Sequence, residues 1–466
     1  MLMSFKCGIE IHQRLDTRKL FCDCYYNAES SGETKAGIVL RRKIKSVASE
    51  LGELDVAANY EARMDKSFEY VVDPRFSCCV ESDEEPPHEL NKDALEVALG
   101  IALALNCTPV EEIHVMRKSV ADGSAVSGFQ RTALIATGGF IETSKGRVGV
   151  QSVCLEEEAS GIIEKTKEKD VYRLDRLGIP LVEIATAPDV KDGEHAQEAA
   201  AAIGGLLRGA RVQRGIGTIR QDVNVSVDGG ERVEVKGVQD LRLMPKLVDE
   251  EVRRQLKEGV RKGGETRRAV GEKTEYMRPL PGAARMYPET DVVPVVVDAA
   301  LLQRAHEAKP RAVGEKKKEL AELGLNPELV KKLSGSRDEA LFAELVEATG
   351  ADANFVATVL LDVVPSLKRD GLKAEALSRG VLAEVLALYS DGVLVKAAVK
   401  EVLKGVCEGK QVTALARGLK RITGADLKKK VADYKKKHGE RAFAEMIKDN
   451  RLRVDANEAK QLFKAV

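Results

Sequence analysis

The feature that most narrows the fold of this 466-residue chain is a change of hydrophobic period part-way along it. Through roughly the first 290 residues, short β-branched runs such as Gly149 to Val153 and Arg232 to Val238 alternate with glycine-rich turns and helical stretches such as Lys92 to Asn106. A period of two sends successive side chains to opposite faces of a sheet, whereas a period near 3.6 lays one apolar stripe along a helix. After the proline-rich stretch Met277 to Pro294 the strand signals nearly vanish, and apolar residues recur at helical spacing from Ala299 to Leu361. Pro365 to Gly371 has the composition of a linker, and the last hundred residues read as short helices separated by Gly380, Gly392, Gly409, Gly424 and Gly439. The expected class is α+β: a large mixed or antiparallel sheet forming a cradle over residues 1–294, then two all-helical domains over 295–367 and 368–466.

Size and charge agree with several domains. At 466 residues, 44% hydrophobic and 32% charged, the chain exceeds the length at which one core stops growing. No apolar run approaches the roughly 20 residues that span a bilayer, and Met1 to Phe5 lacks the pattern of a secretory signal, so a cytoplasmic protein is expected. The eight cysteines are too sparse for a disulfide scaffold and should be thiols or ligands. Net charge is zero, but Lys368 to Val466 holds 23 Lys and Arg against 13 Asp and Glu, or +10, leaving −10 on residues 1–367. An acidic body suits divalent metal and carboxylate chemistry. A basic tail suits a phosphate backbone, although lysine-rich helices also serve solubility alone.

Three stretches carry chemistry. In Gly8-Ile9-Glu10-Ile11-His12 strand alternation puts Glu10 and His12 on one face, able to reach one ligand; a strand with one wet face reads the same way. From Ile219 to Val227, Arg220, Asp222, Asn224 and Ser226 share a face, and after the turn Asp228-Gly229-Gly230 the run Arg232 to Lys236 alternates too. The resulting hairpin presents Arg and Lys beside Asp, Asn and Glu, the groups that hold nucleotide phosphates and their magnesium, or else a solvated face. The run Leu155-Glu156-Glu157-Glu158 concentrates three carboxylates, which repel unless a cation or solvent separates them. No Walker A sequence, dinucleotide-fold glycine spacing, serine-rich amidase signature or N-terminal cysteine is present, so phosphate chemistry would be of another kind and ammonia would come from elsewhere.

Read in order, CGIEIHQRLDTRKLFCD (Cys7 to Asp23), DEEPPHELN (Asp83 to Asn91), MRKSVADGSAVSGFQRTA (Met116 to Ala133), LEEEAS (Leu155 to Ser160), LDRLGIPLVEIATAPDV (Leu174 to Val190), GIGTIRQDVNVSVD (Gly215 to Asp228) and TEYMRPLPGAARMYPETDV (Thr274 to Val292) resemble the B/E family of aminoacyl-tRNA amidotransferase subunits. The third and last look like its archaeal, glutamine-specific E branch. The resemblance implies a ligase: ATP phosphorylates the side-chain carboxylate of glutamate esterified to glutamine tRNA, and ammonia then forms the amide. Residues 1–294 would be the catalytic cradle and 368–466 the tRNA-binding tail. Matching the family's motifs, Glu10, His12, Glu157 and Glu234 would surround the main Mg2+, with Glu156 and Asp222 available to a second ion. Catalytic weight would fall on Glu10, His12, Glu157, Asp222 and Glu234. Arg220, Lys236 and Arg285 would contact phosphate or acyl phosphate, with Ser127 also in the binding set, and Asp175 and Arg176 would shape the pocket for the aminoacyl end.

The implied partners are glutamine tRNA and the family's D-type partner, an asparaginase-like chain that supplies ammonia, assembled as a heterotetramer of two copies each. Two departures accompany the resemblance. The branch carries an inserted domain resembling part of bacterial aspartyl-tRNA synthetase between the positions of Gln255 and Thr274, where this chain has only a short connection. Some relatives bind zinc through a CxC pair followed by CxxC; here Cys22 and Cys24 are followed by adjacent Cys78 and Cys79, a spacing poorly suited to a tetrahedral site, so structural zinc is not expected. Asparagine formation on aspartyl-tRNA, and a tRNA-holding protein that has lost catalysis, are the competing readings.

Overall fold

The computed structural model describes residues 5–26, 38–45, 48, 52–282, 286–310, 313–334, 336 and 338–465. It comprises two compact units, Met1–Ala312 and Val313–Val466. In chain order the strands of the first unit are β1 (Phe5–Arg14), β2 (Ile38–Arg42), β3 (Ser67–Val72), β4 (Thr108–Pro109), β5 (Glu112–Ile113), β6 (Val115–Ser119), β7 (Phe129–Thr143), β8 (Gly146–Glu157), β9 (Gly161–Lys165), β10 (Lys169–Arg173), β11 (Pro180–Thr186), β12 (Ile219–Val227), β13 (Val233–Lys236), β14 (Glu265–Val270), β15 (Lys273–Pro279), β16 (Met286–Pro288) and β17 (Val295–Val296). Its helices are α1 (Val56–Ala62), α2 (Lys92–Ala104), α3 (Gly193–Leu207), α4 (Met244–Glu258) and α5 (Ala299–Glu307).

One eleven-stranded sheet, ordered β15-β14-β13-β12-β1-β11-β8-β7-β6-β16 with β4 added beside β7, organises this unit. Its pairs are antiparallel except β13 with β14. A four-stranded sheet, β2-β3-β10-β9, and the short pair β17-β5 complete the β structure. The large sheet is two-faced because its strands alternate. Ile9 and Ile11 of β1, Val223 and Val225 of β12, and Val233 and Val235 of β13 are buried in one core with Ala98 and Ile101 of α2, Ala199 and Ile203 of α3, and Leu247 of α4. With the helices on that face, the opposite face is left for polar residues.

Helix starts follow local chemistry. Asn91 caps α2 by accepting from the Ala94 amide at 3.0 Å, and Asp192 caps α3 by accepting from the His195 amide at 2.8 Å. Two glycines set helix approaches: a Cβ on Gly100 of α2 would lie 2.9 Å from the Ala308 carbonyl just past α5, and one on Gly193 would lie 2.5 Å from Pro245 backbone atoms in α4. Thus α5, although it follows the proline-rich stretch, packs into the sheet unit through Leu301 and Ala305.

The second unit is helical: α6 (Val313–Glu322), α7 (Pro327–Leu333), α8 (Glu339–Thr349), α9 (Ala353–Thr358), α10 (Val364–Arg369), α11 (Arg379–Ser390), α12 (Lys396–Cys407), α13 (Val412–Gly418), α14 (Gly424–His438), α15 (Ala442–Asn450) and α16 (Ala456–Ala465). Two points differ from the sequence expectation. Pro365 lies within one unbroken helical run, in which α9 passes through a π-helical stretch, Val359–Val363, into α10, so the stretch taken as a linker is largely helix. Gly380 lies inside α11 and separates nothing. One core runs from Leu320 to Ala416, across residue 367, and a second joins Leu427, Val431, Met446, Val454 and Ala459 within α14 to α16 and the turn before α16.

Because only backbone opposes a side chain at Gly193, Gly193→Ala should lower unfolding stability by about 1–3 kcal/mol in urea titrations, the cost of overpacking a site that cannot yield. Wild-type stability in this variant would show that α3 and α4 separate without cost.

Candidate active site

The polar face gathers its residues by strand register. Glu10 lies opposite Asp222 of β12 and His12 opposite Arg220, while on the other side His12 faces Glu183 of β11. The face borders a cleft of about 560 Å³ lined by Glu10, His12, Lys118, Glu156, Glu158, Glu183, Arg220, Asp222, Glu234 and Lys236, with Glu61, Met64, Lys165, Met277 and Arg278 on its other walls. The expected hairpin is present, with β12 and β13 antiparallel and Val223 opposite Val235.

The carboxylates on this face are paired with cationic groups, and the pairings differ in kind. Lys236 Nζ bridges Glu234 at 2.7 Å and Asp222 at 3.2 Å, and Asp222 also accepts from the Gly237 amide at 2.9 Å. Glu234 accepts from the Thr266 hydroxyl at 3.1 Å, and its pKa is held down by Lys236 against the cost of burial. Lys118 pairs with Glu156 and reaches Glu183 at 3.7 Å; Thr132 and Gln130 also donate to Glu156, at 2.9 and 3.0 Å. Between these two lysines, His12 Nε2 lies 3.2 Å from Glu183 and 3.5 Å from Glu10. Burial, then the charge of Glu183, raises the Glu10 pKa to about 7. Burial opposes protonation of His12, but the Glu183 hydrogen bond and charge prevail and raise its pKa. Glu10, His12 and Glu183 each offer a ligand atom within 4.8 Å of the others, the geometry of a divalent-cation site.

The structure thus brings together Glu10, His12, Glu156, Asp222, Glu234, Lys236 and Arg220. Glu157 goes elsewhere: one residue beyond Glu156 on a strand, it points through the other face into a small cavity shared with Lys19, Glu81, Ser127 and Arg131. There it accepts from the Arg131 amide at 3.0 Å, and burial raises its pKa. Ser127 lines that cavity and donates to the Phe129 carbonyl at 3.1 Å. Asp175 is buried 3.2 Å from Arg173, whereas Arg176 reaches Glu158 at 3.4 Å. Arg285 lies outside the described residues. Sequence reasoning missed Glu183, whose signal was a lone carboxylate in the apolar strand Pro180–Thr186, and Lys118, which register alone reveals, and it named Glu158 only as part of the acidic run.

A second donor cluster joins Cys22, Cys24, Cys78 and Glu81, again within 4.8 Å of one another. Glu81 accepts from the Cys22 thiol at 2.8 Å, from the Cys78 amide at 2.7 Å and from Lys19 at 3.1 Å. Three thiols and a carboxylate fit a tetrahedral ion. The sequence spacing looked unsuitable because it counted Cys79, which is exposed, where the fold supplies Glu81.

A sheet that turns paired carboxylates, an imidazole and lysines toward one open cleft has the make-up of an enzyme domain. A family model described as the GatB/GatE catalytic domain matches residues 5–303, and the chain belongs to that family. It is similar to the E subunit of the glutamyl-tRNA(Gln) amidotransferase of Methanopyrus kandleri, 36% identical with 86% of this chain and 85% of the relative covered. It is also similar to the E subunits of the same enzyme from Methanosarcina barkeri, 34% identical with 87% and 86% covered, and Methanocaldococcus jannaschii, 34% identical with 95% and 94% covered. The M. kandleri alignment runs over 550 positions against the 466 residues of this chain, so that relative carries residues this chain lacks.

The raised Glu10 pKa has a consequence for stability. Its folded value of about 7 exceeds its ordinary 4.5, so the folded state binds this proton more tightly, and the resulting stability is present below pH 4.5 and lost as pH rises through 7. Glu10→Gln cannot ionise. In metal-free urea titrations it should be more stable than wild type by about 1–3 kcal/mol at pH 8, with the gap shrinking toward pH 4.5; a pH-independent gap would contradict the assignment.

Proposed function

We propose that the chain is the tRNA-binding, kinase and transamidase component of an amidotransferase that acts on glutamate esterified to glutamine tRNA. In this reading the glutamate side-chain carboxylate attacks the terminal phosphorus of ATP and ADP departs. Ammonia then adds to the acyl phosphate, phosphate leaves, and the amide of glutamine remains. The observation that carries the reading is the register of β12, β1 and β11, which lines up Asp222, Glu10, His12, Glu183 and Arg220 on one cleft face in a chain of the GatB/GatE family.

The donor set of Glu10, His12 and Glu183 fits a hard divalent cation such as Mg2+, which keeps few protein ligands. When bound there, such an ion would offset charge on the phosphates. Lys236 and Arg220 place positive charge on the same face for the transferred phosphoryl group, and Asp222 and Glu234 hold the Lys236 ammonium in place. Glu156 does the same for Lys118. The names of the relatives support glutamate on glutamine tRNA as substrate. The same reading includes ammonia from an asparaginase-like partner chain of the D type, an assembly of two copies of each chain, and a cytoplasmic location.

For tRNA binding the proposal points to the end of the second unit. Residues 424–466 hold 12 Lys and Arg against 7 Asp and Glu, or +5, around their own small core. Lys428, Lys429, Lys436 and Lys437 of α14 are exposed.

Three measurements test this function. With ammonium as nitrogen donor, the chain should convert glutamyl-tRNA specific for glutamine in the presence of ATP and magnesium. Glu10→Ala or Asp222→Ala should abolish transfer of labelled phosphate while tRNA binding persists; unchanged transfer in both would sink the site assignment. Removing residues 424–466, which spares the core ending at Ala416, should weaken tRNA binding and flatten its dependence on salt, since each lost phosphate contact lowers the slope by about one. Equal affinity and slope would make the basic end a solubilising surface.

A further inference from the structure

One cluster on the cleft wall has a charge imbalance that its packing leaves unexplained. Glu158, 1% exposed, accepts from Arg14 Nε at 2.7 Å, from Arg220 Nη2 at 2.9 Å and from Arg176 Nη2 at 3.4 Å. Among the described residues none of the three arginines has a second carboxylate within ion-pairing distance. Three guanidiniums against one carboxylate leave two positive charges in a half-buried corner, a cost that an incoming anion relieves.

The corner is rigid. Glu158 is pinned through its backbone, its amide donating to the Ile179 carbonyl at 2.8 Å and its carbonyl accepting from the Gly178 amide at 3.1 Å. Arg14 ends β1, its amide donating to the Thr218 carbonyl at 3.0 Å, and Arg176 donates to the Ala159 carbonyl at 3.1 Å. Arg220, a third exposed, lines the cleft and makes one hydrogen bond among those described, on Glu158, so the rest of its guanidinium fork is left for a ligand. A fork held this way suits the paired oxygens of a phosphate. Since Arg220 lies opposite His12 in the sheet, the corner adjoins the Glu10, His12 and Glu183 donor set.

We propose that Glu158, braced by Arg14 and Arg176, is a positioning residue that holds Arg220 as a phosphate-binding subsite beside the carboxylate face. The proposal rests on the reading of the cleft as a phosphoryl-transfer site and narrows the contact of Arg220 to a single phosphate. That phosphate belongs either to the nucleotide or to the acceptor end of the aminoacyl-tRNA, which share the chemistry the corner recognises. Glu158 touches neither; it acts by aiming Arg220.

The test uses the whole chain. Glu158→Gln removes a negative charge, so charge alone would tighten anion binding, whereas loss of aim weakens it. Binding of magnesium-ATP by calorimetry and of glutamyl-tRNA by filter retention should show one ligand about tenfold weaker and the other within twofold, and the affected ligand identifies the source of the phosphate. Both ligands bound as tightly as by wild type, or more tightly, would overturn the proposal, as would equal weakening of both, which marks a distorted cleft. If Glu158→Gln does not fold, Arg220→Gln, which leaves Glu158 with two arginines, must give the same selective loss, and unchanged affinities would again overturn it. Labelled-phosphate transfer by wild type separates the two levels: transfer with no selective loss in the variants keeps the reading and removes the subsite. Selective loss without any transfer does the reverse.

Discussion

Everything at the cleft depends on the pairing of β1 with its two neighbours. In an antiparallel pair, opposed residues lie on the same face with Cβ atoms about 5 Å apart, so register is the site's coordinate system. A slip of one residue between β1 and β12 would turn Asp222 and Arg220 into the helical core and bring Val223 out. Burial of Ile9, Ile11, Val223 and Val225 beneath α2, α3 and α4 makes that slip costly, with roughly 1.5–3 kcal/mol at stake for each side chain. The core therefore fixes where the chemistry stands without supplying any of it.

Once register has gathered so many carboxylates, electrostatics must keep them apart. The face does this with two bridging lysines, one between Asp222 and Glu234 and one between Glu156 and Glu183, and leaves the pair Glu10 and Glu183 joined by His12. Glu10 has the weakest compensation, and accordingly its pKa rises while that of Glu183 is held low by Lys118 and His12. A site arranged this way sets a lysine against Asp222, Glu234, Glu156 and Glu183 and leaves Glu10 with the imidazole of His12 as its nearest cationic partner, so an added cation would gain most at Glu10.

Much of this was legible in the sequence where the period was strict. The alternation in Gly8 to His12 and Ile219 to Lys236 gave both strands, their inward and outward sets and the hairpin between them, because one buried face leaves no other register. The run Glu156-Glu157-Glu158 was legible as a concentration of charge but not as three destinations. On a continuing strand Glu156 and Glu157 must face opposite ways, and Glu158, where the strand has ended, is turned into the arginine corner. Lys118 escaped because nothing local marks it, and Glu183 because a lone carboxylate in an apolar strand gains its meaning only from strands far away in the chain. Similarly, the cysteine cluster was obscured by counting thiols, when the fold completes it with a carboxylate three residues after Cys78.

The connection after Gln255 is closed by its own side chains. Arg254 joins Glu251 at 2.7 Å to Glu265 at 3.0 Å, tying the end of α4 to the start of β14, and Thr274 of β15 donates to Glu251 at 2.6 Å. With both carboxylates buried and paired, the segment from α4 to β15 closes on itself. It also reaches the site: β14 pairs with β13, and its Thr266 hydroxyl donates to Glu234, which in turn holds Lys236. The connection thus keeps the strand that orders this side of the cleft, and the geometry of the carboxylate face is set by the sheet itself.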